Sequence, residues 1–365
     1  MNTLHVELGE RSYPIWIASG LLKNVSSLLQ TRGLKPPISL LIVSDTQVAP
    51  LYLNSLKESL TEAGYHVATA IVPNGEKSKS LEQLDLLVEA ALIAGLDRKS
   101  AILALGGGVV GDLAGTLAAT YMRGIHFVQI PTTILAHDSS VGGKVAVNHR
   151  LAKNIIGAFH QPLAVIYDLD TLQSLPLREV RAGLSEVLKH GLIWNRDFAY
   201  WVDENHQKLL DLEPNALAYA LQEGCRVKAM IVSQDERESH LRAILNLGHT
   251  LGHAIEAVQK YDAWLHGEAI AVGMVAAAMV AVNRGKDPLI ATETERMMRN
   301  FGLPVRIPAS FDIDAIMSAM MHDKKNQNGT LTYILPLSIG EVEIVKNVPV
   351  EEIRRVVDSL VEEVV

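Results

Sequence analysis

The sequence predicts an α/β domain with a mostly parallel sheet followed by an all-α domain, on three observations. Between Ile38 and about Asp170, short runs rich in β-branched residues alternate with helical stretches. From Leu177 onward the apolar period becomes helical. The 365 residues exceed what one hydrophobic core ordinarily serves, so two domains are expected, 1–175 and 176–365, with the boundary near Leu175-Pro176.

Taken in order, residues 3–8 and 13–17 flank Gly9-Glu-Arg-Ser12 and read as a β-hairpin. Strands are then expected at 39–43, 67–72, 101–105, 126–130 and 164–167. In such sheets ligands bind beyond the carboxyl ends of the strands. Those ends carry Asp45, Asn74-Gly-Glu-Lys-Ser-Lys79, Gly106-Gly-Gly-Val-Val-Gly-Asp112 and Pro131-Thr-Thr133. Helices are expected near 177–193, 197–210, 214–236, 243–258, 267–284, 289–300 and 312–321. A small strand pair at 331–335 and 342–345 precedes a closing helix from about Pro349.

Composition excludes several classes of function. The net charge of -8 argues against a nucleic-acid partner held by a basic surface. The single cysteine, Cys225, cannot form an internal disulfide, which suits a reducing cytoplasm. Glu7 and Glu10 stand where a signal peptide would have a basic start and an apolar core. The most apolar run, 269–282, has about fourteen residues, the length of a buried helix rather than a membrane span. A soluble, cytoplasmic protein without nucleic-acid or membrane partners is expected.

Four motifs carry chemistry. Gly106, Gly108 and Gly111 fit G-x-G-x-x-G after an apolar strand, the context in which backbone N–H groups at a helix start cradle a pyrophosphate. The acidic ribose partner expected about twenty residues later is absent, which points to an earlier strand end such as Asp45. Asp138-Ser-Ser-Val-Gly-Gly-Lys144, with Lys153-Asn154 beyond it, combines small residues and spaced lysines in a way that suits a phosphate. Glu186 and Lys189 stand three apart on a helix, a pair that is ordinarily surface decoration. Finally, Asn246-Leu-Gly-His-Thr-Leu-Gly-His253 and His266-Gly-Glu268 place three histidines close in sequence, with His266 at the expected start of a second helix. Histidines at i and i+4 are the usual zinc-binding pair, which would make His249 and His253 ligands, and spacing alone leaves that open.

Together with Gly183-Leu-Ser-Glu-Val-Leu-Lys189, these motifs strongly resemble the 3-dehydroquinate synthase family, along nearly the whole chain from Asp45 to Lys325. The resemblance implies an N-terminal NAD-binding domain and a C-terminal helical domain enclosing a zinc (or cobalt) ion. It implies Glu186, His249 and His266 as the metal ligands, in place of the i, i+4 pair, and leaves His253 as a substrate contact and proton-transfer group. Around the NAD it puts Asp45, then Asn74, Gly75, Glu76, Lys77 and Lys79, and Gly108, Val109, Val110, Gly111 and Asp112. Thr132, Thr133, Lys144 and Lys153 join them, with Thr171, Leu172, Gln173 and Ser174. For a substrate both phosphorylated and carboxylated it implies Arg123, Lys144, Asn154, Lys189, Lys228, Arg242 and Asn246. One lysine of the pair Lys324-Lys325, taken as Lys324, completes that group.

Asp138 joins the catalytic set, although one residue fewer than the family usually has separates it from the Pro-Thr-Thr turn. Ser185 stands where an alanine is common. Arg123 is implied to reach a neighbouring subunit, hence a homodimer. The implied reaction converts 3-deoxy-D-arabino-heptulosonate 7-phosphate into 3-dehydroquinate and phosphate, by oxidation at C5, phosphate elimination, reduction and aldol closure, in the shikimate pathway. The rivals are a glycerol-dehydrogenase-like metal-dependent alcohol dehydrogenase, a cyclase for an uncarboxylated sugar phosphate, and a catalytically inactive NAD sensor. The first has no need of Lys144, Lys189, Lys228 and Arg242 together, and Lys228 with Arg242 argue against the second.

Overall fold

The computed structural model describes residues 1–238, 240–259, 264–321 and 330–362. They form two compact units: Met1–Leu175 with Leu217–Arg237, and Pro176–Ala216 with the residues from Glu238 on. One break follows Leu175, and the segment 217–237 goes with the first unit. It is fastened to the first, where Gln222 accepts from Asn2 at 2.8 Å and Glu236 accepts from Gln161 at 2.8 Å. Periodicity fixes that this segment is helical; it does not fix which core its apolar face joins.

The first unit holds a seven-stranded sheet. Its strands are β1 (Asn2–Val6), β2 (Tyr13–Ala18), β3 (Ser39–Asp45), β4 (His66–Val72), β5 (Ala101–Gly106), β6 (His126–Pro131) and, after a separate hairpin of β7 (Lys144–His149) and β8 (Ala152–Phe159), β9 (Ala164–Asp168). The spatial order is β1-β2-β9-β6-β5-β3-β4; β1 runs antiparallel to β2, and the other neighbours are parallel. The inner strands are apolar along most of their length because both faces are covered. Leu40, Ile42, Leu103 and Leu105 pack on one side with helices α1 (Val25–Thr31) and α2 (Asn54–Glu62). Leu41, Val43, Ile102 and Ala104 pack on the other with α3 (Leu81–Ile93) and α4 (Gly108–Thr120). From β3 the chain adds β4 on one side and later β5 on the other, so the order reverses between β3 and β5. Asp45 and Gly106 end those two strands.

The hairpin is not among the strands expected from the sequence. Lys144 opens β7, while Lys153 and Asn154 lie on β8. Most of β8 is exposed, so it lacks the apolar alternation that reveals a half-buried strand. Asp138 sits in a one-turn helix, α5 (Ala136–Ser139). Cys225 is buried, and burial pushes its thiol up to about 12, which leaves it an inert filler.

In the second unit the helices are α6 (Leu177–Trp194), α7 (Arg196–Glu204), α8 (His206–Leu210), α9 (Pro214–Gln234, which passes into the first unit at Leu217), α10 (His249–Val258), α11 (His266–Asn283), α12 (Leu289–Asn300), α13 (Ile313–Met321) and α14 (Val350–Ser359). Strands β10 (Thr330–Ser338) and β11 (Glu341–Pro349) pair antiparallel. Two expected helices are each broken. Asn205 divides 197–210, its side chain donating to the Trp201 carbonyl at 2.9 Å. Gly248, at φ +79, divides 243–258 into a 3-10 turn at Leu241–Asn246 and α10.

Helix α11 is the axis of this unit, in contact with α6, α10, α12, α14 and β10. Its length and composition would let it cross a membrane, but Ala269 to Ala278 are buried in the protein. Glycine lets its neighbours approach backbone to backbone. A Cβ on Gly267 would fall 1.9 Å from the Ala182 carbonyl oxygen of α6, and one on Gly273 would fall 1.9 Å from that of Gly248. Backbone cannot step aside as a side chain can. Gly273→Ala is therefore expected to destabilise the protein by about 3 kcal/mol, read from urea denaturation; an unchanged midpoint would contradict so close an approach.

Candidate active site

In the second unit, three helices each bring one group to one place. Glu186 lies within α6, His249 is the first residue of α10, and His266 is the first of α11. Gly248 turns the chain so that α10 starts at His249. At α11, Glu268 accepts from the Leu265 N–H at 2.8 Å and from Arg178 at 2.7 Å, fixing the helix start that carries His266. Nε2 of His249 lies 3.9 Å, and Nε2 of His266 3.8 Å, from Oε1 of Glu186.

The remaining bonds decide which atoms face inward. Nδ1 of His249 is 3.1 Å from the Leu247 carbonyl, and Nδ1 of His266 is 3.0 Å from Oε2 of Glu256. Both acceptors require the proton on Nδ1, so each Nε2 presents a lone pair. Oε2 of Glu186 accepts from Lys189, while Oε1 is buried with no hydrogen-bond partner among the described residues. A buried carboxylate oxygen facing two imidazole lone pairs is a repulsive arrangement unless a cation sits between them. Two nitrogens and a carboxylate oxygen fit a divalent ion such as zinc or cobalt.

His253 belongs to the same cluster. One ligand nitrogen from each of His249, His253 and His266 lies within 4.8 Å of the others, so the geometry alone also accommodates a three-histidine set. What separates the two sets is burial: Glu186 is 1% exposed, whereas His253 is exposed on the next turn of α10. Burial foremost, then the Lys189 charge and the other two histidines, hold His249 well below the usual imidazole range. It is neutral at pH 7, as a metal ligand must be. The Glu186–Lys189 pair, whose spacing suggested surface decoration, is instead sealed in the core with both side chains 1% exposed. Removing one partner of such a pair leaves an uncompensated charge, a loss of about 3–5 kcal/mol.

In the first unit the strand ends explain their glycines. A Cβ on Gly106 would strike Val110 at 2.6 Å, and one on Gly111 would strike Gln129 of β6 at 2.7 Å, so α4 starts tightly and lies close on the sheet. Val110 is buried, Val109 partly so, and Gly108 opens the helix. The hydroxyls of Thr132 and Thr133 are buried with no partner among the described residues. Asp45 caps its own turn, accepting from Gln47 N at 2.8 Å and Val48 N at 3.0 Å. The Lys79 ammonium, in a side chain 4% exposed, meets Asp112 at 2.6 Å and Asn154 at 2.5 Å. It joins the glycine helix to the β8 hairpin. Burial pushes the Asp112 carboxyl up, with Lys79 opposing.

Glu76 binds the hairpin too, accepting from Asn148 at 2.8 Å and lying 3.6 Å from Lys153. Asn148, which the sequence did not single out, also accepts from the Asn154 N–H at 2.8 Å; only the hairpin could have revealed it. Asn74 and Lys77 are exposed on the same turn, and Gly75 has φ +103. Past β9, Thr171 and Leu172 are buried and Gln173 and Ser174 exposed; Thr171 and Ser174 hydroxyls bond backbone carbonyls.

The expected substrate cations divide between the units. Lys228 and Asp138 meet in the first, Nζ to Oδ2 at 2.8 Å. Lys144 is exposed at the start of β7, and exposed Arg123 has φ +68. Arg242 is almost wholly buried in the second unit, where Asn246 donates to Glu238 at 2.9 Å. Lys324 and Lys325 lie outside the described residues.

Comparison with known proteins agrees along the chain. Residues 69–182 match the family described as 3-dehydroquinate synthase N-terminal, and residues 183–326 match 3-dehydroquinate synthase C-terminal. A 3-dehydroquinate synthase of Desulforamulus reducens is 50% identical over 363 residues, 98% of this chain and 100% of the relative. The solved structure of 2-deoxy-scyllo-inosose synthase complexed with carbaglucose-6-phosphate, NAD+ and Co2+ is 27% identical, with a TM-score of 0.90 over 98% of this chain and 100% of that one. That of 2-epi-5-epi-valiolone synthase from Streptomyces hygroscopicus, with NAD+ and Zn2+ bound, is 27% identical with a TM-score of 0.87, covering 97% of this chain and 98% of the other. By these matches and the motifs they span, the chain belongs to the 3-dehydroquinate synthase family.

Proposed function

We propose that this protein is a 3-dehydroquinate synthase, closing 3-deoxy-D-arabino-heptulosonate 7-phosphate to 3-dehydroquinate with loss of phosphate. The observation that carries it is the relative of that name, 50% identical over 98% of the chain. NAD and a divalent ion, both present in related solved structures, would supply reversible hydride transfer and polarisation of the oxygen on the carbon being oxidised.

The chain's own residues do the rest. Glu186, His249 and His266 hold the ion, and Lys189 fixes the carboxylate by its second oxygen. His253, beside both ligand histidines yet exposed, holds or moves a proton at the substrate hydroxyl. The Thr132 and Thr133 hydroxyls, without a partner among the described residues, and the start of α4 receive the dinucleotide at the β3/β5 reversal. Arg242 suits the substrate carboxylate because its planar fork matches two oxygens. Lys228, set by Asp138, also serves the carboxylate, while Lys144 and Asn154 serve the phosphate and sugar.

We also read the protein as a cytoplasmic homodimer. Met122 and Arg123 hold consecutive left-handed conformations, which persist where a turn has a purpose, and Arg123 reaching a neighbouring subunit would be one.

Turnover is expected to be redox-neutral. With catalytic NAD and heptulosonate phosphate, inorganic phosphate should appear in step with dehydroquinate and no absorbance should build at 340 nm, a wavelength diagnostic of about all free NADH. Steady NADH accumulation would favour the dehydrogenase instead. His253→Ala should keep its metal and lose about 100-fold or more in kcat, while Glu186→Ala should lose tight metal binding. The reverse pattern, read by metal analysis after dialysis, would assign the ion to three histidines.

A further inference from the structure

Glu256 carries a carboxylate 4% exposed, and nothing in the proposed chemistry touches substrate or ion through it. Its Oε2 lies 3.0 Å from Nδ1 of His266. We infer that Glu256 is a positioning residue that fixes the tautomer and orientation of His266 and so aims its Nε2 at the ion. The inference rests on the reading of Glu186, His249 and His266 as metal ligands.

A neutral imidazole has one N–H and one lone pair. Were the His266 proton on Nε2, its Nδ1 lone pair would face a buried carboxylate at 3.0 Å, two acceptors in contact where water cannot screen them. With the proton on Nδ1, the carboxylate gains its donor and Nε2 is aimed at Glu186, 3.8 Å away. His249 has the same arrangement with a different acceptor: its Nδ1 meets the neutral Leu247 carbonyl at 3.1 Å. The two imidazoles are thus equivalent in tautomer and unequal in charge behind them. An ionised acceptor forms the stronger bond and pushes more electron density toward the far nitrogen.

The placement is built into α10. His249, His253 and Glu256 stand at i, i+4 and i+7, one face of one helix, so ligand, exposed histidine and orienting carboxylate are held in fixed register. Gly252 lies on that side as well. A Cβ there would fall 2.6 Å from Ile270 Cδ1 and 3.2 Å from the Ala269 carbonyl, and this close approach of α10 to α11 is what brings Glu256 within reach of His266. The carboxylate also offsets the positive charge that Lys189 and a divalent ion place in the core.

The test uses the full-length enzyme and Zn2+ or Co2+ as probes. Competition against a chromophoric chelator should show Zn2+ affinity in Glu256→Gln weakened about 10- to 100-fold, with one ion still bound at saturation. Glu256→Leu, which removes this acceptor altogether, should weaken it further. The visible absorption of the Co2+-loaded protein should shift in both, while the melting temperature of metal-free Glu256→Gln stays at the parent value. Parent-like affinity and Co2+ spectrum in Glu256→Gln, alongside loss of the ion in Glu186→Ala, would overturn this role and leave the metal reading standing. Retention of tight binding in Glu186→Ala would remove both. A melting temperature that falls in the metal-free variant, with unchanged affinity in the folded fraction, would make Glu256 a packing residue only.

Discussion

The second unit depends on how closely α11 approaches α6 and α10. Helices packed through ordinary side chains keep their axes about 8–10 Å apart. Gly267 and Gly273 remove that spacing by letting α11 touch the carbonyls of Ala182 and Gly248, and Gly252 does the same one turn along α10. Glu186, His249 and His266 then reach one point from three helices. Glycine inside a helix sacrifices about 0.5–1 kcal/mol of stability relative to alanine. Here no other residue fits.

The close packing also explains the chemistry of the buried charges. Glu186, Lys189, Glu256 and Arg242 are all nearly sealed from solvent, where an unpaired charge is costly. Each acid has an identified donor: Lys189 for Glu186, and His266 for Glu256. Oε1 of Glu186, which has no hydrogen-bond partner among the described residues, is the oxygen that two imidazole lone pairs face. The first unit follows a similar rule, since Lys79 neutralises Asp112 and at the same time holds Asn154 of the hairpin. The family resemblance puts Lys79 around the cofactor, and here its ammonium bonds Asp112 and Asn154.

Much of the fold was legible because its signals are local. The inner strands are continuous apolar runs and the glycine cluster follows one of them; the helices of the second unit show their period for most of their length. What was illegible depends on long-range packing. Exposed β8 has no apolar stripe, so the hairpin went unread. The segment 217–237 is as helical as its neighbours, and nothing in its period says that Gln222 and Glu236 pair with the first unit. Glu186 and Lys189 at i, i+3 look the same in sequence whether exposed or buried. For the site, histidine spacing could not choose between His253 and Glu186, because the carboxylate arrives from a helix about sixty residues earlier, a separation outside the reach of any spacing rule.

The central claim is that a divalent ion is held by one carboxylate and two imidazoles, with His253 left for proton transfer. X-ray absorption at the zinc edge of the fully loaded protein measures this directly, because imidazole rings give multiple-scattering features that a carboxylate lacks. The account predicts a first shell of nitrogen and oxygen at about 2.0–2.1 Å with two imidazoles per zinc, unchanged in His253→Ala. Three imidazoles per zinc in the parent, falling to two in His253→Ala, would contradict it.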